Sequence, residues 1–125
     1  MASLPEAVRT AWEDRNGPVV LGTISDTGVP NIIYASCAGM YGDDTLVVAD
    51  NFFDKTRANI QAGSRGTLLF ITNAGKAYQV KGALEYHTDG AVFDDMKKWN
   101  PPKLPGHAAA ALKVEEVFSG AERLL

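Results

Sequence analysis

The chain of 125 residues has a single cysteine, Cys37, so no internal disulfide can form. A lone thiol fits a reducing cytoplasm. Cys37 lies in a strand-like run and is read as a small buried hydrophobe rather than a nucleophile. No apolar run approaches the roughly 18 residues of a membrane-crossing helix, and the start lacks a signal-peptide core. These absences predict a cytoplasmic protein. Positive charge is also scarce: 12 Lys and Arg against 15 Asp and Glu leave a formal charge of −3. With a pI near 5.3, no basic stripe is available for nucleic acid or an anionic membrane. Any anion site must then be a local concentration of cations. His87 and His107 are isolated, and no His/Cys cluster has metal-ligand spacing. Nucleophile elbow, Walker-type loop, dinucleotide glycine fingerprint, repeats and low-complexity segments are all missing.

What remains is an ordinary globular composition, 46% hydrophobic and 22% charged, in a length that suits one domain over residues 1–125. Such a domain buries about two thirds of its unfolded surface. Ser3-Leu4-Pro5-Glu6 has the pattern of a capping box with proline in the first turn, and Leu4, Ala7, Val8, Ala11 and Trp12 fall on one helical stripe. Asn16-Gly17-Pro18 stops that helix. Val19 to Ser25 and Asn31 to Ala38 read as strands joined around Asp26-Thr27-Gly28, a hairpin signal. Thr45 to Ala49 is a third strand, and a helix from Lys55 ends at Gly63. Thr67 to Thr72, nearly all apolar, is a fourth strand expected to be covered on both faces. Ala77 to Tyr86 is a long fifth strand, and a helix after Thr88-Asp89-Gly90 puts Val92, Phe93, Met96 and Trp99 on one face. Asn100 to Gly106, with three prolines, is a rigid connection to a last strand, Ala109 to Phe118. Six strands with short connections and three marginal helices predict a mainly β fold, a six-stranded antiparallel barrel with peripheral helices.

The stretch Val47 to Ala58, V-V-A-D-N-F-F-D-K-T-R-A, carries the chemistry. A strand runs through a short polar and aromatic loop into a helix that opens Asp54-Lys55-Thr56-Arg57. Cations gain nothing at the positive pole of a helix, so their presence suggests an anion, most simply a phosphate. The same residues admit a plainer reading, in which Asp54 caps the helix and Lys55 and Arg57 point into water.

With these segments in place, the chain resembles the pyridoxamine 5′-phosphate oxidase-like FMN-binding split barrels, above all the small FMN-binding proteins of that superfamily. The resemblance runs from about Val19 to the C-terminus and rests on three segments: V-L-G-T-I-S-D-T-G-V-P-N, V-V-A-D-N-F-F-D-K-T-R-A-N-I, and Y-Q-V-K-G-A-L-E-Y-H-T-D-G with the following F-D-D-M. It implies that the flavin phosphate lies against Asp50 through Thr56, including Asn51, with Lys55 as the basic ligand and Thr56 as a hydroxyl donor. It places the backbone of Ile33, Tyr34, Ala35 and Ser36, and of Val48 and Ala49, along the flavin ring. Tyr34 either stacks there or simply packs. Gln79 matches a glutamine that contacts the flavin from across a dimer interface, and Gly82 falls where the family has glycine. Trp99 is a candidate cover for one ring edge, although a Trp on an amphipathic helix more often packs in a core.

Two departures qualify the resemblance. The oxidases pair an arginine with the lysine where this chain has Asp54, a loss for which Arg57 is the candidate compensation. Their C-terminal segment, with a Trp and an Arg for the substrate phosphate, has no counterpart before Leu124-Leu125, which argues against genuine pyridoxamine phosphate oxidation. The expectation is a homodimeric FMN protein, a flavin reductase-like oxidoreductase or a small electron-transfer protein. The alternatives are a non-catalytic flavin or nucleotide-binding module, and the same barrel loaded with deazaflavin or haem.

Overall fold

The computed structural model describes residues 2–125. Helix α1 (Glu6–Glu13) is followed by strands β1 (Val19–Ile24), β2 (Pro30–Ala35), β3 (Ala38–Tyr41) and β4 (Thr45–Asp50). Then come α2 (Lys55–Gln61), β5 (Arg65–Ile71), β6 (Ala77–His87), α3 (Gly90–Trp99), β7 (Ala108–Ser119) and a two-residue β8 (Glu122–Arg123). All six expected strands are present. The count rises to eight because the second breaks at Ser36-Cys37 into β2 and β3, and because the tail adds β8 to the edge of β7.

One antiparallel sheet holds the strands in the order β2-β1-β5-β6-β7-β4-β3. Its two end strands, β2 and β3, are consecutive in the chain and separated by only Ser36 and Cys37. Two residues cannot cross a flat seven-strand sheet, since neighbouring strands are about 4.8 Å apart. The sheet must therefore curl until its ends meet, and the break between β2 and β3 is the split in the barrel.

Residues alternate across this curved wall. Leu21, Leu46, Val48, Leu68, Val80, Ala110, Leu112 and Val117 fill the inside, together with Leu4, Val8 and Trp12 from the N-terminal segment and α1. Trp12 meets Phe70 edge-on at 5.0 Å, and Phe70 stacks on Tyr78 at 5.3 Å. Ala7 alone of the expected α1 stripe is exposed. The expected capping box does not form: α1 begins after Pro5 with no side-chain cap. A second, outer cluster packs Val92, Phe93, Met96 and Trp99 of α3 over Val47, Ala49, Ala109 and Ala111. Small residues on β7 let the helix approach. Gly39 serves the same end, since a Cβ there would sit 2.9 Å from Trp99.

At Gly82 a Cβ would lie 1.8 Å from the Lys113 carbonyl oxygen, at a shift of register between β6 and β7. Only glycine permits that approach. Strand β5 departs from expectation. Gly66, Leu68 and Phe70 face inward, but Leu69 and Ile71 are each 43% exposed on the outside. Among the described residues nothing covers that face. Ile32 (73%) and Tyr34 (78%) of β2 continue the same exposed apolar surface, because Tyr34 opposes Val20, which in turn opposes Leu69.

Candidate functional site

A cavity of about 340 Å³ opens at the split. Its walls are Asn31, Ile33, Tyr34, Ala35, Ser36 and Cys37 from the β2 side, Ala49 from β4, residues 51–56 from the loop and helix start, and Leu104 from the proline-rich connection. Strand β2 ends the sheet, so one of its edges has no strand partner and offers free main-chain donors and acceptors. Such an edge can hydrogen-bond a polar ring without help from side chains.

Of the residues expected at the site, Ile33, Tyr34, Ala35, Ser36, Ala49, Asn51, Lys55 and Thr56 do line this cavity. Four do not. Val48 points into the barrel core. Trp99 packs over Gly39 on the outside of the sheet. Gln79 lies on the outer face, in a shallow cleft with Gly22, Ile32, Thr67 and Lys81, which adjoins the cavity at Asn31.

The fourth, Asp50, is fully buried and committed to the protein. Its Oδ2 accepts from Arg57 Nε at 2.7 Å and from the Tyr86 hydroxyl at 2.5 Å. Its Oδ1 accepts from Arg57 at 3.0 Å and from the Phe53 amide at 3.0 Å. Burial pushes the Asp50 carboxyl up, but the bonds from Arg57, Tyr86 and Phe53 outweigh it and hold the carboxyl below its ordinary value. Burial and the bond to Asp50 push the Tyr86 phenol up. Arg57 is thereby spent on Asp50, rather than compensating for the missing arginine of the phosphate site.

Lys55 is different. It is exposed at the cavity, and among the described residues no carboxylate lies within 4.0 Å of its ammonium. Thr56 beside it is 1% exposed, and its Oγ1 accepts from Asn31 Nδ2 at 2.9 Å. The amide of Asn31 also reaches Thr23 Oγ1 at 3.3 Å, and Asn59 Nδ2 donates to the same oxygen at 3.0 Å. Because Thr56 Oγ1 already serves as an acceptor, its own O–H remains available to donate into the cavity. Asp54 lines the cavity too, but makes no side-chain cap on α2. The helix is only seven residues long, so the side chains of Lys55 and Thr56, more than its dipole, make this end suited to an anion.

Five residues of the site were not singled out from sequence: Asn31, Cys37, Phe52, Phe53 and Leu104. Asn31 stands within the hairpin motif V-P-N, which was the available signal. Phe52, 77% exposed at the rim, fell within the Asp50-through-Thr56 stretch without being named, and Leu104 carried no signal, because only the meeting of two loops distant in sequence puts it there. Cys37 is half-buried at the cavity wall rather than in the core.

Known proteins resemble this arrangement. An uncharacterized protein of Methanocaldococcus jannaschii is 28% identical over 109 residues, which cover 83% of this chain and 73% of that one. HupZ of Group A Streptococcus superposes with a TM-score of 0.79 at 23% identity, over 93% of each chain. An FMN-binding protein from Syntrophomonas wolfei gives 0.75 at 25% identity, over 89% of this chain and 82% of its own. An F420 reductase (0.68, 16%) and HutZ, the haem storage protein of Vibrio cholerae (0.71, 14%), share the fold, so the split barrel by itself does not fix the cofactor. Residues 4–119 match the sequence profile of pyridoxamine 5′-phosphate oxidase, spanning both sides of the cavity and the loop that carries Lys55. The chain belongs to the pyridoxamine 5′-phosphate oxidase family of split barrels.

Proposed function

We propose that this protein binds FMN in the cavity at the split and works as a flavin reductase-like oxidoreductase or a small electron-transfer protein. One observation carries the reading: Lys55 and the Thr56 hydroxyl, both without an acceptor among the described residues, converge on a cavity walled elsewhere by Ile33, Ala35, Ala49 and Leu104. That is one anion-binding end and one apolar slot, matching the two halves of a flavin phosphate. Lys55 contributes a point charge and Thr56 a directional bond. The unpaired edge of β2 can hydrogen-bond the polar margin of the ring. When bound, the flavin supplies the electron chemistry, and the chain supplies binding, orientation and shielding from water.

The donor set favours FMN over haem. Neither His87 nor His107 of the same chain lines the cavity, whereas Lys55 and Thr56 there are suited to a phosphate. It also supports binding without pyridoxamine phosphate oxidation, which needs a second anion site. Among the described residues Lys55 is the one cation lining the cavity; Arg65, paired with Glu115, and Lys81 line the adjoining outer cleft, and Lys76, Lys97, Lys98, Lys103, Lys113 and Arg123 lie elsewhere.

A second copy of the chain completes the site in this reading. The exposed face of Ile32, Tyr34, Leu69 and Ile71 adjoins the cavity, and Gln79 on that face would meet a flavin held by the partner. Sedimentation should show a dimer. A 13.4 kDa monomer at micromolar concentration with cofactor bound would count against it.

The visible spectrum of freshly purified protein tests the cofactor. Flavin absorption that bleaches reversibly with dithionite supports the proposal. A haem Soret band refutes it in favour of the other cofactor, and no chromophore with no uptake of added FMN refutes flavin binding altogether. Saturable formation of pyridoxal 5′-phosphate would overturn the assignment against oxidase activity.

A further inference from the structure

The loop that walls the cavity is held from outside by a polar clasp. Asn51 and Asn100 are 8% and 4% exposed, and their side chains exchange two hydrogen bonds. Asn51 Nδ2 donates to Asn100 Oδ1 at 3.0 Å, and Asn100 Nδ2 donates back to Asn51 Oδ1 at 2.9 Å. The Gly106 backbone N–H donates to the same Asn51 Oδ1 at 2.9 Å, so the Asn51 amide cannot turn over without setting its NH₂ against an N–H. A fourth bond, from the His107 N–H to the Asp50 carbonyl at 2.8 Å, ties the other end of the connection to the same loop. Gly106 is fixed in this place: its φ is +52°, and a Cβ would lie 3.0 Å from the Asn100 amide and 2.9 Å from Lys97 Nζ. Between the two anchors, Leu104 closes a turn to the Pro101 carbonyl and reaches the cavity.

Resting on the flavin reading above, we propose that Asn100 is a positioning residue of the cofactor site. Acting through Asn51, it locks the 51–54 loop and presses Leu104 of the proline-rich segment against the slot for the ring. The segment between α3 and β7 is therefore part of the binding site, and its role concerns the ring rather than the phosphate. Loss of the clasp should weaken riboflavin and FMN alike, in contrast to loss of Lys55, which should spare riboflavin.

The clasp is reciprocal. Asn100→Asp keeps an oxygen that accepts from Asn51 Nδ2 but sets its other carboxylate oxygen against Asn51 Oδ1, which Gly106 prevents from turning away. Asn51→Asp would set an oxygen against Asn100 Oδ1 in the same way. Protonation of the carboxyl introduced at 100 gives it an O–H that can donate to Asn51 Oδ1, and burial raises the pH at which this happens. The defect should thus be relieved as pH falls.

The test titrates FMN and riboflavin into flavin-free wild type and Asn100→Asp, well below each protein's Tm, following flavin absorption and fluorescence quenching. The expected result is about tenfold weaker binding of both flavins to Asn100→Asp at neutral pH, which corresponds to about 1.4 kcal/mol. Quenching should be altered, and most of the loss should be recovered at acidic pH relative to wild type. A loss that acid does not relieve would overturn the inference, as would a lower Tm with unchanged affinity and spectrum in the folded protein. Should Asn100→Asp fail to fold, Leu104→Ala reads the same wall, and unchanged affinity for both flavins there would also overturn it. Wild type that takes up neither flavin would sink the flavin reading itself, a different outcome from wild type that binds while Asn100→Asp binds equally well.

Discussion

Lys55 and Arg57 stand two residues apart on one short helix, carry the same charge, and have opposite fates. Arg57 turns toward the barrel and meets Asp50, where a buried carboxylate, a phenol and a backbone amide share one hydrogen-bond network. Lys55 turns to the cavity and, among the described residues, forms no ion pair within 4.0 Å. A protein that places a cation beside an internal partner gains local order, because Asp50 then also fixes the Phe53 amide and with it the course of the loop. A cation left beside a shaped cavity, next to a buried threonine whose hydroxyl hydrogen is free, is an offer to a ligand. The contrast separates the structural charge from the functional one within a single D-K-T-R motif. Composition alone could not do so, since both readings of the motif fit the sequence equally well.

The largest effect expected from breaking this contrast is on folding. Asp50→Asn removes the charge that three donors converge on, and should cost about 2–3 kcal/mol of stability, the scale for buried donors left poorly paired. The accompanying fall in Tm should be roughly 6–15 °C. Affinity of the folded variant for FMN should stay within about threefold of wild type. Calorimetric unfolding set beside an FMN titration checks both halves, and loss of FMN affinity with an unchanged Tm would exchange the roles assigned here.

A smaller effect is expected on the other side of the contrast. Thr56→Val keeps the shape of the side chain but deletes the hydroxyl, and should weaken FMN by about 1 kcal/mol while affecting riboflavin less. Thr56→Ser should bind FMN nearly as wild type does. If valine and serine at this position behaved alike, the hydroxyl would have no part in binding.

The smallest effect sharpens the comparison through pH. The Asp50 carboxyl lies below its ordinary value of about 4 in the folded protein. Its stabilising contribution is complete above that ordinary value and is lost as pH falls through the lower, folded one. Tyr86 works in the opposite sense. Its raised pKa makes its contribution complete below the ordinary phenol value of about 10 and lost as pH rises through the folded one. Urea unfolding at stepped pH should therefore show a steep acidic limb that flattens in Asp50→Asn, and an alkaline limb that flattens in Tyr86→Phe. Parallel limbs in wild type and variants would detach the network from stability.

Much of the fold was legible in the sequence because period and turn chemistry agreed with it. The hairpin around Gly28, the stop at Gly63 and the common face of Val92, Phe93, Met96 and Trp99 depend on local rules, and the structure follows them. The break at Ser36-Cys37 was not legible, since it is imposed by closure of the sheet rather than by any residue in the run. The exposure of Leu69 and Ile71 escaped for a related reason: apolar content signals that a face will be covered, not that the cover lies outside the chain. At the site, Lys55 and Thr56 were found from their position in a strand–loop–helix motif. The commitment of Asp50 and Arg57 to each other was not, because it needs Tyr86 from a strand 29 residues beyond Arg57. Asn100, Gly106 and Leu104 were read only as a rigid connection. Their bearing on the cavity arises where that connection crosses the 51–54 loop, a tertiary contact with no local signature.

The central claim, that Lys55 holds the phosphate of a bound flavin, is tested most directly by a two-by-two titration. Wild type and Lys55→Ala are each titrated with FMN and with riboflavin, and the phosphate-dependent part of binding is compared between them. The account predicts that Lys55→Ala weakens FMN by roughly 1.5–3 kcal/mol, leaves riboflavin nearly unchanged and leaves unfolding stability within about 0.5 kcal/mol of wild type. Equal weakening of both ligands, or none of either, would contradict it and place the phosphate elsewhere.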